Sequence, residues 1–406
     1  MTSEWKIQSL REAGVSLIDC DHRTPPAAES GYPYVAIPQL KQGRLDLSDV
    51  RRITREHFLE WTRKANPQTN DVILSRRCNP GETSVVPDGL ECALGQNLVL
   101  LRADASKLFP PFLRWLVRGS DWWEQIGKFL NVGAVFDSLK CADIPNFRLP
   151  IPPFAEQQAI AGVLGALDDK IELNRRMNET LETLARSFFK SHFVDAVATK
   201  LPKGWRAGKL RDCCERVENG GTPKRDEPSY WTPATVPWLT SGEVRQAIVT
   251  KTDNFISEEG LENSSAKLWP PATTVVALYG ATAGQVCFLG DTMCSNQACC
   301  GLIPKKDLRY YVYLHASSSV AAFEQQTRGS AQQNLSQQIV ADFPTVIPDD
   351  DTLAEFDQIV HPLFSRWIDN LKESRTLAEL RDALLPKLLS GELRVPAAAN
   401  IKEAVA

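Results

Sequence analysis

The chain repeats itself at a distance of about 200 residues, and no other feature limits its fold as strongly. WKIQSLREAG from Trp5 is answered by WRAGKLRDCC from Trp205, and RTPPAAESGYPYVAIPQL from Arg23 by GTPKRDEPSYWTPATVPWL from Gly221. NVGAVFDSLKCADIPNFRLPIPP from Asn131 is answered by TRGSAQQNLSQQIVADFPTVIP from Thr327. Solenoid repeats span roughly 20–45 residues, so this period describes two domain-sized halves. The length of 406 residues agrees, because one hydrophobic core ordinarily serves about 150.

Each half closes on a proline-rich turn followed by a long amphipathic stretch. In 156–193, Ile160, Leu164, Leu167, Ile171, Leu181, Leu184 and Phe188 recur at three- and four-residue steps with charges between them. In 353–389, Phe356, Val360, Leu363, Trp367, Leu371, Leu377, Leu384 and Leu388 do the same, with Pro362 expected to bend the helix and Gly391 to follow its end. A helix of about 35 residues is about 50 Å long, more than a small domain is wide. Two such helices hide their stripes most readily against each other, which predicts an intramolecular coiled coil. Asn174 and Asn370 occupy corresponding places in the stripes, where a polar residue selects register at some cost in packing.

Ahead of each helix lie short β-rich runs (DVILSRR, NLVLLRA, TVVALYG, GQVCFLG) and a helical piece, the pattern of a mixed α+β globule. The expected architecture is therefore α+β: domains over 1–153 and 196–348, long spacer helices within 154–195 and 349–393 that pair with each other, and a flexible tail over 394–406.

Composition excludes several function classes. The N-terminus lacks a secretion signal, and 272–290 reads as two strands around a turn rather than a membrane span, so a cytoplasmic location is expected. Ten cysteines occur singly or as neighbours without a C-x-x-C, which suits buried thiols in a reducing compartment better than zinc or disulfides. No phosphate loop, zinc-protease helix, nucleophile elbow or dinucleotide fingerprint is present. An N-P-P-aromatic methyltransferase loop and a convincing nuclease cluster are missing too. Binding is the default function, without metal or cofactor in this chain; the rival is an enzyme, a nuclease or methyltransferase, whose site is not recognisable.

The duplicated order of GGTPKRDEPSYW and VPWLTSGEV, LYGATAGQVCFL, TRGSAQQNLSQQIVADFPTVIP and ALLPKLLSGEL resembles the specificity subunit of type I restriction-modification systems over nearly the whole chain. The first half departs from the pattern: HRTPPAAESGYPYVAI lacks the Tyr-Trp pair, and NVGAVFDSL stands in place of GSAQQNLS. The resemblance implies a non-catalytic adaptor that binds a split, asymmetric double-stranded DNA target through two target-recognition domains, held apart by the two long helices as an antiparallel coiled coil. Its partners would be two modification subunits, which use S-adenosylmethionine to methylate adenine, and restriction subunits, which use ATP and Mg. The candidate DNA contacts lie in or beside turns: Arg23, Gln39, Lys41, Arg44, Arg76 and Arg77 in the first half, and Thr222, Lys224, Arg225, Ser241, Glu243, Arg245 and Tyr279 in the second. Tyr230, Trp231 and Trp238 are expected to brace the loop from below. Net charge is only +1 in each of 1–153 and 196–348, and −2 and −4 over 154–195 and 349–406. Nearly neutral readers imply that partner subunits supply much of the grip on phosphate.

Overall fold

Two sets of strands follow one topology. In the computed structural model, which describes residues 5–41, 43–133, 136–198, 200–327 and 334–395, the chain divides into a first unit (1–170 with 376–406) and a second (171–375). The first unit has an antiparallel sheet in the order Val15–Asp19, Leu98–Ala103, Val72–Ser75, Thr83–Val85. The second orders Cys214–Asn219, Cys299–Pro304, Thr274–Ala277 and Val286–Leu289 the same way and adds Ile248–Val249 in parallel at the edge.

The smaller sheets repeat as well. Tyr32–Val35 runs antiparallel to Arg51–Ile53 and parallel to Ala93–Leu94, as Val236–Leu239 does to Phe255–Ile256 and Cys294–Ser295. Lys6–Ser9 pairs with Arg148–Ile151, and Arg206–Lys209 with Pro344–Ile347.

The apolar runs are continuous because the main sheet is covered on both faces. Side chains alternate across a strand, so Val72, Leu74, Val99 and Leu101 join Phe112 and Trp115 of the helix Pro110–Leu116. Ile73, Leu98 and Leu100 instead meet Val35 of the small sheet. In the second unit, Val276 joins the helix Arg309–Ser318, while Val275 and Ala277 pack with Leu239 and Trp269.

The long helices span Phe154–Phe189 and Asp350–Leu389 and pack antiparallel. The repeated tryptophans mark where they begin: Trp5 Nε1 donates to Glu156 at 3.3 Å and Trp205 Nε1 to Asp349 at 2.8 Å. Asp349 also caps the second helix by accepting from Thr352 N at 3.0 Å, a carboxylate at the positive end of the helix dipole. That helix runs through Pro362, where a bend was expected, and past its end Gly391 takes φ +73°, the left-handed conformation that stops helices.

Ile160, Leu164, Ile171, Val360 and Trp367 are buried, and Leu167, Leu181, Leu363, Leu377 and Leu384 half-buried, as the stripes predict. Leu184 is 42% exposed and Ala185 takes its place inside, one position further round the helix. The middle of the seam is more polar than expected. Asn370 Nδ2 donates to Asn178 Oδ1 at 2.8 Å, and Asn174 Nδ2 to Glu373 Oε2 at 2.8 Å and Ser374 Oγ at 3.3 Å. Counted from the helix starts, Asn174 corresponds to Asn370 and Asn178 to Ser374, so these two contacts are one contact seen twice.

Candidate nucleic-acid interface

In the second unit the loop that opens with Gly220 and Gly221 is pressed against the sheet end. Gly220 N donates to Cys299 O at 3.0 Å and Gly221 N to Ser295 O at 2.8 Å. A Cβ on Gly220 would lie 2.1 Å from Ser295 Oγ, and one on Gly221 2.3 Å from Ala266 N, so any larger residue would lift the loop. Two indoles hold it from below. Trp238 Nε1 donates to Gly221 O at 3.0 Å and Trp231 Nε1 to Lys224 O at 2.9 Å, the rings meeting edge to face at 5.5 Å. Trp238 is buried, while Trp231 and Tyr230 are half-buried at the loop's base.

Lys224 and Arg225 are exposed on top, with the Arg225 guanidinium 5.4 Å from the Trp231 ring. Thr222 bonds the exposed Gln297 through its hydroxyl. The 296–298 turn gathers the other loops: Asn296 N donates to Leu239 O at 3.0 Å, and Leu278 N to Ala298 O at 2.7 Å. Exposed Tyr279 follows, and exposed Arg245 reaches Ala281 O at 3.3 Å. Thr222, Lys224, Arg225, Arg245 and Tyr279 are thus brought to one end of the sheet, with Ser241 half-buried near them.

Glu243 does not join them. Its carboxylate is buried and accepts from Thr240 N and Oγ1, both at 2.8 Å, and from Asp253 N at 2.9 Å. A carboxylate spent on three internal donors ties the turn together and has nothing to offer a base.

The first unit builds the same end differently. Trp61 Nε1 and Tyr34 Oη donate to Arg23 O at 2.9 and 3.1 Å, and the Arg23 guanidinium lies 4.6 Å from the Trp61 ring. The indole brace and the stacked arginine recur, but Arg23 is also paired with Asp21 and Glu60, each at 2.8 Å. Gln96 Nε2 donates to Thr24 Oγ1 at 3.2 Å, the counterpart of Thr222 and Gln297. Arg76 N donates to Asn97 O at 2.9 Å and Arg77 bridges Ser138, as Leu278 and Tyr279 do with Ala298 and Asn334.

Arg23, Arg76 and Arg77 therefore converge on the 95–97 turn. Arg77 is exposed, whereas Arg76 is half-buried and donates to Leu139 O at 3.3 Å. Gln39 spends its amide oxygen on Ala36 N at 3.1 Å within its own turn. Lys41 and Arg44 sit on a separate hairpin against Thr83–Val85, where Ser84 Oγ donates to Arg44 O at 2.7 Å. Of the segments that carry the resemblance, 328–333 and 134–135 lie outside the described residues.

Reasoning from the sequence passed over Gln96 and Gln297. The signal was there: each is a glutamine in the turn just ahead of the buried strand that recurs at 98–103 and 299–304. It also missed that His22 stands beside Cys20. Ligand atoms of Asp19, Cys20 and His22 lie within 4.8 Å of one another, yet the Cys20 thiol donates to Gly95 O at 3.2 Å and burial pushes it up to about 11. Lys64 Nζ lies 3.8 Å from the Asp19 carboxylate, and the buried thiol keeps its proton. Cys92, Cys299 and Cys300 are likewise raised, to about 12, by burial.

The family described as type I restriction modification DNA specificity domain matches the chain twice, over residues 20–183 and 202–379. The chain belongs to that family. It is a specificity subunit, the non-catalytic member of a type I restriction-modification system that directs recognition of the DNA target, and cofactors belong to the partner subunits. It is 25% identical over 363 residues to the type I restriction enzyme MjaIX specificity subunit of Methanocaldococcus jannaschii, covering 85% of this chain and 82% of that one. It is 23% identical over 370 residues to the HindI specificity subunit of Haemophilus influenzae, covering 73% and 80%. The crystal structure of the S subunit from M. genitalium has the same fold, with a TM-score of 0.64 at 16% identity over 96% of this chain and 97% of that one. Among the described residues no helix of this specificity subunit is long and apolar enough to cross a membrane.

Proposed function

We propose that each unit reads one half of a split, asymmetric duplex target. In this reading two modification subunits, which bind S-adenosylmethionine and methylate adenine, dock on this chain, and ATP- and Mg-dependent restriction subunits join them. The carrying observation is the duplicated loop end: an indole-braced turn and a Thr–Gln pair occur in both units beneath different exposed side chains. A constant frame under a variable surface is what two readers of different sequences need.

The residues assigned to contact are Arg23, Arg76, Arg77 and Gln96 in the first unit. In the second they are Thr222, Lys224, Arg225, Ser241, Arg245, Tyr279 and Gln297. Glutamine pairs with the N6 and N7 edge of adenine and arginine with guanine, while lysine and the hydroxyls position the backbone. Because the units are nearly neutral, the isolated chain binds duplex DNA weakly and the assembled complex tightly.

Genome-wide mapping of N6-methyladenine, with and without this chain beside its modification subunits, tests the reading. A split motif that vanishes without the chain is expected; an unchanged methylome would overturn it. Gln297→Ala relaxes one half of the motif and Gln96→Ala the other. Heptads inserted in register into both long helices lengthen the unspecified spacer.

A further inference from the structure

The first unit holds a cluster of arginines away from the loop end just described. Arg114 and Arg118 flank the buried Trp115, with guanidinium carbons 4.5 and 5.2 Å from its ring. Arg114 and Arg381 both engage the buried carboxylate of Asp168, and Arg381 also binds Asp382. Arg118 has no such partner: among the described residues neither it nor Arg44 makes a side-chain hydrogen bond or ion pair. Gly43, the residue before Arg44 in the hairpin, lies against the Arg118 guanidinium, where a Cβ would lie 3.1 Å from Arg118 Nη1, and Arg44 is close enough to Arg114 to act on its charge. Burial works most strongly against the charge of Arg118 and the nearby Arg381 and Arg114 add to that, while the carboxylates of Asp168 and Asp382, both already paired with other arginines, favour it from a distance.

The repeat supplies an internal control. Counted from the starts of the equivalent helices, at Pro110 and Arg309, Arg114 corresponds to Tyr313 and Arg118 to Ser317. From the starts at Phe154 and Asp350, Asp168 corresponds to Phe364 and Arg381 to Ala185. The second unit fills these four positions with neutral residues, with Arg186, paired to Glu182, reaching Ser317 from the long helix, so the fold does not demand the ionic set around Asp168. A half-buried guanidinium whose donors are left without acceptors is costly in a folded protein unless an anion reaches them from outside.

We propose that Arg118 and Arg44 form a phosphate clamp for the DNA backbone, with Trp115 and Gly43 fixing the Arg118 guanidinium and the Asp168 carboxylate neutralising Arg114 and Arg381 behind it. Planar guanidinium groups suit a phosphate's paired oxygens, and such a contact adds affinity without reading sequence. The clamp rests on the DNA-reading function proposed above, and it lies on the hairpin and helix side of the unit rather than at the 95–97 turn.

The test uses the full chain assembled with its modification subunits, binding target and non-target duplexes over a series of salt concentrations. Arg118→Gln and Arg44→Gln should each weaken both duplexes by about tenfold at low salt. Each should also make the slope of log affinity against log salt shallower by about 0.9 per lost phosphate contact, leaving the preference for target unchanged. Arg118→Lys should retain the slope. Should Arg118→Gln unfold, Arg44→Gln on the hairpin carries the test alone.

If the wild-type complex binds duplex and both glutamine variants keep its slope, the clamp is wrong and the reading function stands. Failure of the wild-type complex to bind any duplex would remove both. Inorganic phosphate that raises the unfolding temperature of wild type but not of Arg118→Gln, without a change in the DNA slope, would mark a free-phosphate site and also overturn the clamp.

Discussion

Where the second unit places Tyr313 against Phe364, with ring centroids 5.6 Å apart, the first places Arg114 against Asp168. Arg381 lies 2.5 Å from the same carboxylate, at the position that Ala185 holds in the other half of the seam. One backbone arrangement therefore carries a buried ionic triad in one unit and an aromatic pair with an alanine in the other. The difference separates what the fold needs, volume and shape at those positions, from what one unit has added to it.

The sharpest way to break that comparison is to remove the hub. Asp168→Ala leaves Arg114 and Arg381 facing each other inside the unit, and it should cost about 3–5 kcal/mol in chemical denaturation. Transplanting the second unit's solution, Asp168→Phe with Arg114→Tyr and Arg381→Ala, should bring stability back to wild type or above it, because apolar packing of similar volume commonly equals a buried ionic set. A transplant as unstable as the single variant would show that the fold does require the charges.

Next in size is the brace beneath each loop. Trp61→Phe and Trp238→Phe each keep a buried ring but lose the indole donor to Arg23 O or Gly221 O, at about 1–1.5 kcal/mol. The loss should fall on one half of the methylation motif at a time, the half read by the altered unit. Equal relaxation of both halves would contradict independent readers. Smaller again is the seam: replacing Asn174 and Asn370 by Leu should leave the helices paired but in more than one register, seen as doubled resonances for seam residues. A single unchanged spectrum would deny the asparagines any role in register.

The comparison also explains what could be read in advance. The duplication, the long amphipathic helices and their pairing with each other follow from spacing alone, because a stripe some 35 residues long must be covered by something of equal length; their antiparallel sense came with the family resemblance. The strands at 72–75 and 274–277 were visible as apolar runs. Their two-sided burial was not, since it depends on small sheets assembled from distant segments. Asp168 was hidden for a different reason: on a wheel it is one charge among many, and only Arg114, more than fifty residues away, and Arg381, more than two hundred away, give it meaning. Glu243 misled in the opposite direction. A carboxylate in a loop looks available until three backbone and hydroxyl donors are found to hold it.

The smallest difference between the units is a titration. His315 occupies in the second unit the position that Leu116 holds in the first, stacked on Tyr311 with ring centroids 5.9 Å apart and its Nε2 3.1 Å from Pro344 O. Burial holds its imidazole below the usual histidine range. A group with a depressed pKa in the folded state binds its proton more readily when unfolded, so its stabilising contribution is complete above the unfolded value of about 6.5 and is lost as the pH falls through the folded value. Acidification should therefore loosen the second unit before the first, read as faster amide exchange in the Arg309–Ser318 helix than in Pro110–Leu116 as the pH is lowered from 7.5 toward 5.5, after correction for intrinsic rates. His315→Leu installs the first unit's own residue and should abolish that difference in pH dependence. If it persists, the acid sensitivity resides in the carboxylates that both units share, and the histidine has no part in it.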